Sequence, residues 1–147
     1  MREQEIPRIF RIVVAAVIVK EERVLLLQRK EDEKIYPGLW ELPSGKREFN
    51  ETSIEALARE VKEETGLSIV VERPISIFEY IVKTPTEIRD TTQINFLCYP
   101  ANPQETVKIN KEEHQNARWF TKEEFLSLQN VSEETRKCVL TALGNCI

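Results

Sequence analysis

The segment GKREFNETSIEALAREVKEETGL, residues 45–67, carries the signals for the beginning and the end of one helix. Thr52 can cap the helix N-terminus, and Glu55, three residues later, completes a capping box. Gly66 supplies the left-handed residue at which a helix commonly ends. The pattern therefore predicts a helix over residues 53–65. Its predicted buried stripe consists of Ile54, Leu57, Ala58, Val61 and Thr65.

Three acids of this helix are surface neighbours. Glu60, Glu63 and Glu64 stand at spacings i, i+3 and i+4, on a flank of the predicted buried stripe. A like-charge pair at i, i+4 costs a helix roughly 0.2–0.5 kcal/mol. Two readings follow: an ordinary solvated helix, in which pairs such as Glu55 with Arg59 offset the repulsion, or a helix whose acids are neutralised by a cation.

The rest of the chain predicts one α/β domain over residues 1–147. Two apolar runs separated by Glu21 and Glu22 predict a hairpin of buried strands, and a loop with one short strand follows. The predicted strands are 8–20, 23–30, 39–42, 67–85, 91–101 and 117–121, and the later helices are 122–129 and 132–144. Trp40 and Leu42 are expected in the core. This order of elements predicts helices on both faces of a sheet.

Charge and cysteine content limit the environment and the partners. The chain has 21 Lys plus Arg against 25 Asp plus Glu, a net charge of −4, which offers no general attraction for nucleic acid or an anionic membrane. The odd set of Cys98, Cys138 and Cys146 lacks metal-ligand spacing and predicts reduced thiols. The apolar run at 12–19 is too short to span a bilayer, and residues 1–8 lack the order of a signal peptide. We expect a cytoplasmic protein.

The spacing of fixed residues in the helical segment resembles a known signature. It reads Gly45, five residues, Glu51, seven residues, Arg59 and Glu60, an aliphatic residue, one residue, Glu63 and Glu64, one residue, Gly66, and an aliphatic residue. This resembles the Nudix box of hydrolases that split a nucleoside diphosphate linked to another moiety. YPGLWELPSGK and HQNARWFTKEEF, on either side, are also typical of these domains. The resemblance implies a Nudix fold, an α/β/α sandwich around a mixed β-sheet.

The resemblance also implies a metal site. Cleavage of a P–O–P linkage needs charge neutralisation and a positioned water, both of which Mg²⁺ or Mn²⁺ supplies with oxygen ligands. In the family, the carbonyl of the first box glycine joins helix glutamates around the metal. That arrangement carries over to Gly45, Glu60, Glu63 and Glu64. Arg59 would orient these acids, with Glu51 as its partner, although a plain surface pair is the alternative.

The general base stays open between two places. Families with this box place it either in the helix, where Glu63 is the candidate, or on a later loop. Here the loop before Trp119 offers Glu112 and Glu113, and Glu113 resembles the loop glutamate that completes the metal site in MutT-like enzymes; a plain acidic loop is the alternative. His114, the only histidine, is expected to be a loop or rim residue.

Phosphate and base recognition have several candidates. Arg29 and Lys30, at the end of the second strand, suit phosphate oxygens, although a charged strand end is an equal alternative. Asn130 resembles the position of a base-reading asparagine in MutT-like enzymes. Aromatic candidates for base stacking, with core packing as the alternative, are Phe78, Tyr80, Phe96 and Trp119.

The phrase PGLWELP most resembles MutT-like domains, which favours hydrolysis of a nucleoside triphosphate to monophosphate and pyrophosphate. The alternatives are cleavage of ADP-ribose or another nucleoside diphosphate derivative, and a nucleotide-sensing module without catalysis. RNA decapping lacks the expected basic surface. The expected partner is a small nucleotide, without nucleic acid polymer or membrane, and a homodimer is left open. The chain departs from the common pattern at Ser44, Phe49 and Asn50, and none of these removes a ligand.

Overall fold

The structure, a computed structural model, describes residues 5–144. The described strands are β1 (Arg8–Lys20), β2 (Arg23–Arg29), β3 (Trp40–Glu41), β4 (Ser44–Lys46), β5 (Ile69–Lys83), β6 (Ile88–Pro100) and β7 (His114–Thr121). The described helices are α1 (Ser53–Thr65), α2 (Lys122–Leu126) and α3 (Glu133–Ala142). Within these residues, no helix is long and apolar enough to cross a membrane.

The strands form one mixed sheet. Its order is β3-β2-β1-β6-β5, with β4 paired to β1 and β7 paired to β2. β1 and β6 run parallel, and the other pairs of strands are antiparallel. β1 and β2 meet at a two-residue turn in which Glu21 and Glu22 both have positive φ, the conformation that matches the twist of a tight hairpin. The predicted hairpin is confirmed.

Alternation along β1 divides the core into two layers. Val14, Ala16 and Ile18 pack on the α1 side, whereas Ala15 and Val17 pack on the side of α2 and α3. All five are fully buried, and each buried valine or isoleucine contributes roughly 1.5–3 kcal/mol to the free energy of unfolding. Trp40 and Leu42 lie in the second layer, as predicted. Helices therefore cover both faces of the sheet, and the predicted α/β/α sandwich is confirmed.

The predicted start and end of α1 are confirmed, but its buried stripe was partly wrong. Both halves of the capping box at Thr52 are present, and Gly66 has φ 77°. Ile54 and Ala58 are exposed, and the buried residues of the helix are Ala56, Leu57, Val61, Glu64 and Thr65. The buried face includes Glu64, whose carboxylate accepts the backbone N–H of Ser44.

The bounds of several other elements differ from the prediction; β6, for example, begins at Ile88 rather than at residue 91. β7 begins at His114 rather than at residue 117, because it pairs with β2 as far as Arg29, past an irregularity in register. α2 ends at Leu126 rather than at residue 129, since Ser127 already has the ψ of a cap residue and its hydroxyl bonds back to the last turn. β4 is an additional short strand that pairs with β1.

The two described cysteines are inert thiols. Cys98 and Cys138 are buried in the two core layers, and burial raises the pKa of the Cys98 thiol to about 12. We expect a disulfide reagent at pH 8 to label no more than one of the three thiols of the native chain, and all three after denaturation. Cys146 lies outside the described residues, so a Cys146→Ser variant serves as control. Rapid labelling of that variant would contradict the buried positions.

Candidate active site

One part of the site is formed where β4 lies in close contact with α1. The N–H of Ser44 donates to Oε1 of Glu64 over 2.8 Å. The carboxyl group of Glu60 lies so close to the Cα of Gly45 that a Cβ at this position would overlap it. β4 is fixed by pairing with β1, where Gly45 stands opposite Val14. A side chain at residue 45 would therefore displace the carboxyl group of Glu60 from this position.

Arg59 connects the acids to one another. Its Nε lies 3.1 Å from Oε2 of Glu51 and its Nη2 lies 2.7 Å from Oε1, a two-point contact. Nη1 donates to Oε1 of Glu60 over 2.8 Å and lies 3.5 Å from Glu63, and Nη2 donates to the carbonyl of Lys46. The hydrogen bond from Arg59 lowers the pKa of Glu51 to about 2. The predicted Arg59–Glu51 pair is thus present, and it fixes the guanidinium beside Glu60.

Burial and mutual repulsion disfavour the charged forms of two acids of the site, Glu60 and Glu64. Glu64 is 8% exposed. Burial, with added repulsion from Glu113, Glu41 and Glu60, raises its pKa to about 9, although the N–H of Ser44 opposes the shift. Burial also raises the pKa of Glu60, against the opposing effect of Arg59. A buried group of carboxylates without enough neighbouring positive charge fits a bound divalent cation, which would favour their charged forms.

The loop before β7 completes this group. One oxygen each of Glu64 and Glu113 and one ring nitrogen of His114 lie within 4.8 Å of one another. The carbonyl of Asn110 shapes the turn, accepting from the N–H of Glu113 over 3.1 Å and of His114 over 3.0 Å. His114 is 2% exposed, and its Nε2 lies 2.8 Å from Oε2 of Glu41. The expectation of a loop or rim histidine was wrong, because strand pairing carries this residue into the interior.

The predicted metal-binding residues differ in burial and in the contacts that they make. Glu64 converges with Glu113, and Glu60 lies between Gly45 and Arg59. The Glu63 side chain is 56% exposed and has only the longer contact with Arg59. Carboxylate oxygens at this junction are the ligands that Mg²⁺ prefers.

The predicted phosphate-binding residues lie near Glu41 and His114. Nε of Arg29 donates to the carbonyl of Ile35, and its Nη1 lies 3.6 Å from Oε2 of Glu41. Lys30 lines an open cavity of about 410 Å³. Other residues of this cavity are Glu31, Asp32, Ile109, Lys111, His114 and Gln115. Two lysines and the buried histidine therefore face one cavity beside the acids.

Backbone contacts with β3 fix the position of Asn130. Its carbonyl accepts the N–H of Trp40 over 2.9 Å, and Val131 forms a bridge with the same residue. The side chain of Asn130 is exposed. The turn between α2 and α3 thus lies directly beside the strand that carries Glu41.

A group of polar and aromatic side chains, with one valine among them, extends across β1, β6 and β5, and sequence reasoning missed most of it. We call it the sheet platform; its members, which register places on one face, are Arg11, Thr91, Tyr80, Val13, Gln93 and Phe78. The hydroxyl of Tyr80 donates to Gln93 over 2.9 Å, and the rings of Tyr80 and Phe78 stack at 5.2 Å. The alternation of polar residues along β6 was the available signal.

The other two aromatic candidates do not join this platform. Phe96 is a member of the α1-side core, and Trp119 packs against that core. For these two residues, core packing is the correct alternative. Tyr80 and Phe78 are half-buried and lie on the opposite face of the sheet from Phe96.

Comparison with known proteins gives a consistent assignment. The family model of the NUDIX domain matches residues 9–141. The nucleoside triphosphatase NudI of Enterobacter sp. (strain 638) is 33% identical over 134 residues, which cover 86% of this chain and 92% of that protein. A MutT-like protein of Streptomyces ambofaciens is 31% identical, covering 84% and 71% of the two chains. The crystal structure of a MutT protein from Methanosarcina mazei Go1 covers 96% of each chain, with a TM-score of 0.73 and 29% identity.

Proposed function

Because the chain belongs to the Nudix family of hydrolases, as a MutT-like member, we propose that it hydrolyses a nucleoside triphosphate to the monophosphate and pyrophosphate with Mg²⁺ or Mn²⁺. The family acts on nucleoside diphosphate derivatives, and the triphosphate is our choice among them. The name of the relative NudI, a nucleoside triphosphatase, supports this choice. We further propose that the chain forms a single domain and acts in the cytoplasm. Its partner would be a small nucleotide rather than a nucleic acid polymer or a membrane.

One observation carries the proposal: the convergence of Glu64 with Glu113 beside the contact of Gly45 with Glu60. The residues that would hold the cation are Gly45, Glu60, Glu63 and Glu64. When bound, the cation would neutralise phosphate oxygens and make a bound water easier to deprotonate. Arg59 positions Glu60 through its hydrogen bond and takes no proton itself.

Two carboxylates compete for the proton of the attacking water. Glu113 lies next to Glu64, and Glu63 projects from the exposed flank of α1. Exchange of the true base for glutamine would remove the acidic limb of the pH profile of kcat, whereas exchange of the other would leave that limb in place. The two variants compared at saturating Mg²⁺ therefore assign the base.

The nucleoside would lie on the sheet platform, with its phosphates toward the acids. Phe78 and Tyr80 offer stacked rings, and Gln93 offers an amide to the edge of a base. Burial raises the pKa of Tyr80, which keeps its hydroxyl as a donor. Arg29 and Lys30 would contact phosphate oxygens, and the turn at Asn130 borders the nucleoside.

The proposal is tested by product release from a panel of substrates with and without Mg²⁺ or Mn²⁺. The panel contains the nucleoside triphosphates, 8-oxo-dGTP, ADP-ribose, NADH and diadenosine polyphosphates. We expect metal-dependent release of pyrophosphate from a triphosphate. Cleavage of ADP-ribose or NADH alone would replace the triphosphate with another diphosphate derivative. Binding without turnover across the panel would favour a sensor.

The pairing of Arg59 predicts a second result. Arg59→Lys should lower kcat/KM by about 10–100-fold, because an ammonium group cannot bridge Glu51 at two points while also contacting Glu60. The measurement is kcat/KM across a Mg²⁺ titration, in which the variant should need more Mg²⁺. Arg47→Lys is the matched control, since Arg47 contacts only the backbone carbonyl of Glu51 among these residues. Equal rates for both variants would remove Arg59 from its positioning role.

A further inference from the structure

His114 has an unusual environment for the only histidine of the chain. Its side chain is 2% exposed, and Nδ1 has no hydrogen-bond partner among the described residues. Buried polar atoms almost always have a partner, so such an atom needs a physical explanation. The other nitrogen, Nε2, is satisfied by Glu41 at 2.8 Å.

The contact with Glu41 determines what the free nitrogen can do. When Nε2–H donates to the carboxylate of Glu41, a neutral ring keeps a lone pair on Nδ1. Arg29 lies 3.6 Å from the same oxygen of Glu41 and helps to hold that carboxylate in place. A histidine that binds a metal through one nitrogen commonly donates its other N–H to a carboxylate. Glu41 and His114 have this arrangement.

The ring of His114 lies beside the acids. One nitrogen of His114 lies within 4.8 Å of an oxygen of both Glu64 and Glu113, which is compatible with three ligands around one ion. We propose that Nδ1 of His114 is a further ligand of the proposed divalent cation, on the side of Glu64 that faces Glu113, and that this nitrogen gives the site a preference for a transition-metal ion over Mg²⁺. The inference rests on the proposed metal-dependent function and concerns the identity of the ion.

The chemistry of the donor set supports this preference. Mg²⁺ takes oxygen ligands and retains several waters, whereas imidazole nitrogen suits ions such as Fe²⁺, Ni²⁺ and Zn²⁺. Affinity at a site with a nitrogen ligand rises along the series from Mn²⁺ through Co²⁺ to Ni²⁺. At a site built from carboxylates alone, the rise in affinity along this series would be smaller.

The single histidine permits a direct spectroscopic test on the untagged full-length chain. Mn²⁺ is added as the probe, and pulsed electron paramagnetic resonance detects nitrogen bound to it. We expect one directly bound nitrogen, whose coupling pattern changes when the protein contains histidine labelled with the heavy nitrogen isotope. Bound Mn²⁺ without nitrogen coupling would overturn the inference and leave the carboxylate site intact.

Competition between Co²⁺ and Mg²⁺ tests the preference itself. His114→Gln should reduce the preference for Co²⁺ by about 10–100-fold, because it removes the nitrogen ligand and keeps a similar volume. Glu112→Gln changes an exposed acid of the same loop outside the ligand group and should leave the preference unchanged. An unchanged preference in His114→Gln would overturn the inference.

Hydrolysis with Mg²⁺ by the unsubstituted chain separates this inference from the proposed function. If Mg²⁺ supports turnover and Mn²⁺ shows no nitrogen coupling, only the role of His114 fails. If neither ion binds and no substrate is cleaved, the metal-dependent function fails as well. Nitrogen coupling without turnover would support the histidine ligand and contradict the hydrolase proposal.

Discussion

Glu64→Gln is expected to lower kcat by at least about 100-fold, because loss of a direct ligand should cost no less than loss of a residue that only orients one. The change removes a charge but little volume. The amide oxygen of glutamine can still accept the N–H of Ser44, which lies 2.8 Å from Oε1 in the native chain. The fold should therefore persist while the cation is held less strongly.

Initial rates of pyrophosphate release across a Mg²⁺ titration measure this effect, with circular dichroism to confirm folding. Glu112→Gln, which removes an exposed charge from a neighbouring loop, should retain most of the native rate. A Glu64→Gln variant with native kcat at native Mg²⁺ requirement would remove Glu64 from the metal site.

The same substitution should change the pH dependence of stability in metal-free protein. Burial raises the pKa of Glu64 from 4.5 to about 9. Between these values the folded state holds a proton that the unfolded state has lost, so the free energy of unfolding falls as pH rises. We expect the native chain to lose stability relative to Glu64→Gln from pH 4.5 to pH 9, as measured by urea unfolding in chelator. A parallel pH dependence of the two proteins would contradict the burial of this charge.

Gly45→Ala is the second large effect, with an expected loss of at least about 100-fold in kcat/KM. The added Cβ would overlap the carboxyl group of Glu60, which is held in place by Arg59. Either the carboxyl group of Glu60 leaves this position, or β4 moves. In the second case the N–H of Ser44 no longer contacts Glu64. Because the overlap falls on the end of a side chain and not on backbone, the effect on activity should exceed the effect on stability.

Two controls separate the overlap from a general disturbance of β4. Ser44→Ala keeps the backbone N–H that binds Glu64 and should stay within a few-fold of the native kcat/KM. Combining Gly45→Ala with Glu60→Asp shortens the acid that meets the new methyl group, so the double variant should lose less activity than the two single losses predict. Additive losses would show that the overlap is not the cause.

Local signals were sufficient for some elements and insufficient for others. The ends of α1 were predictable because capping at Thr52 and the positive φ at Gly66 depend on adjacent residues. The burial of His114 was not, because it depends on the pairing of β7 with β2, and polar neighbours at Gln115 and Asn116 hide that strand.

In the candidate site, too, some features depend on adjacent residues and others on contacts between distant parts of the chain. The spacing of Arg59 and the helix acids could be read from the sequence, and the contacts of Arg59 with Glu60 and Glu63 join residues that are close in the chain. The approach of Glu41 to His114 joins residues 73 positions apart, and no local pattern encodes it. The error at Ile54 and Ala58 has a similar origin, since the packing of α1 against β1 and β4 decides which of its faces is buried.

The parallel pairing at the centre of the sheet has a consequence for how the chain folds. Residues 8–18 pair with residues 88–98, so the long apolar strand β1 must await a partner from much later in the sequence. Such distant contacts slow folding, because closure of the long intervening loop costs entropy before the contacts form. During synthesis, β1 leaves the ribosome well before β6 exists, and this open strand edge is the part of the nascent chain most in need of protection from aggregation.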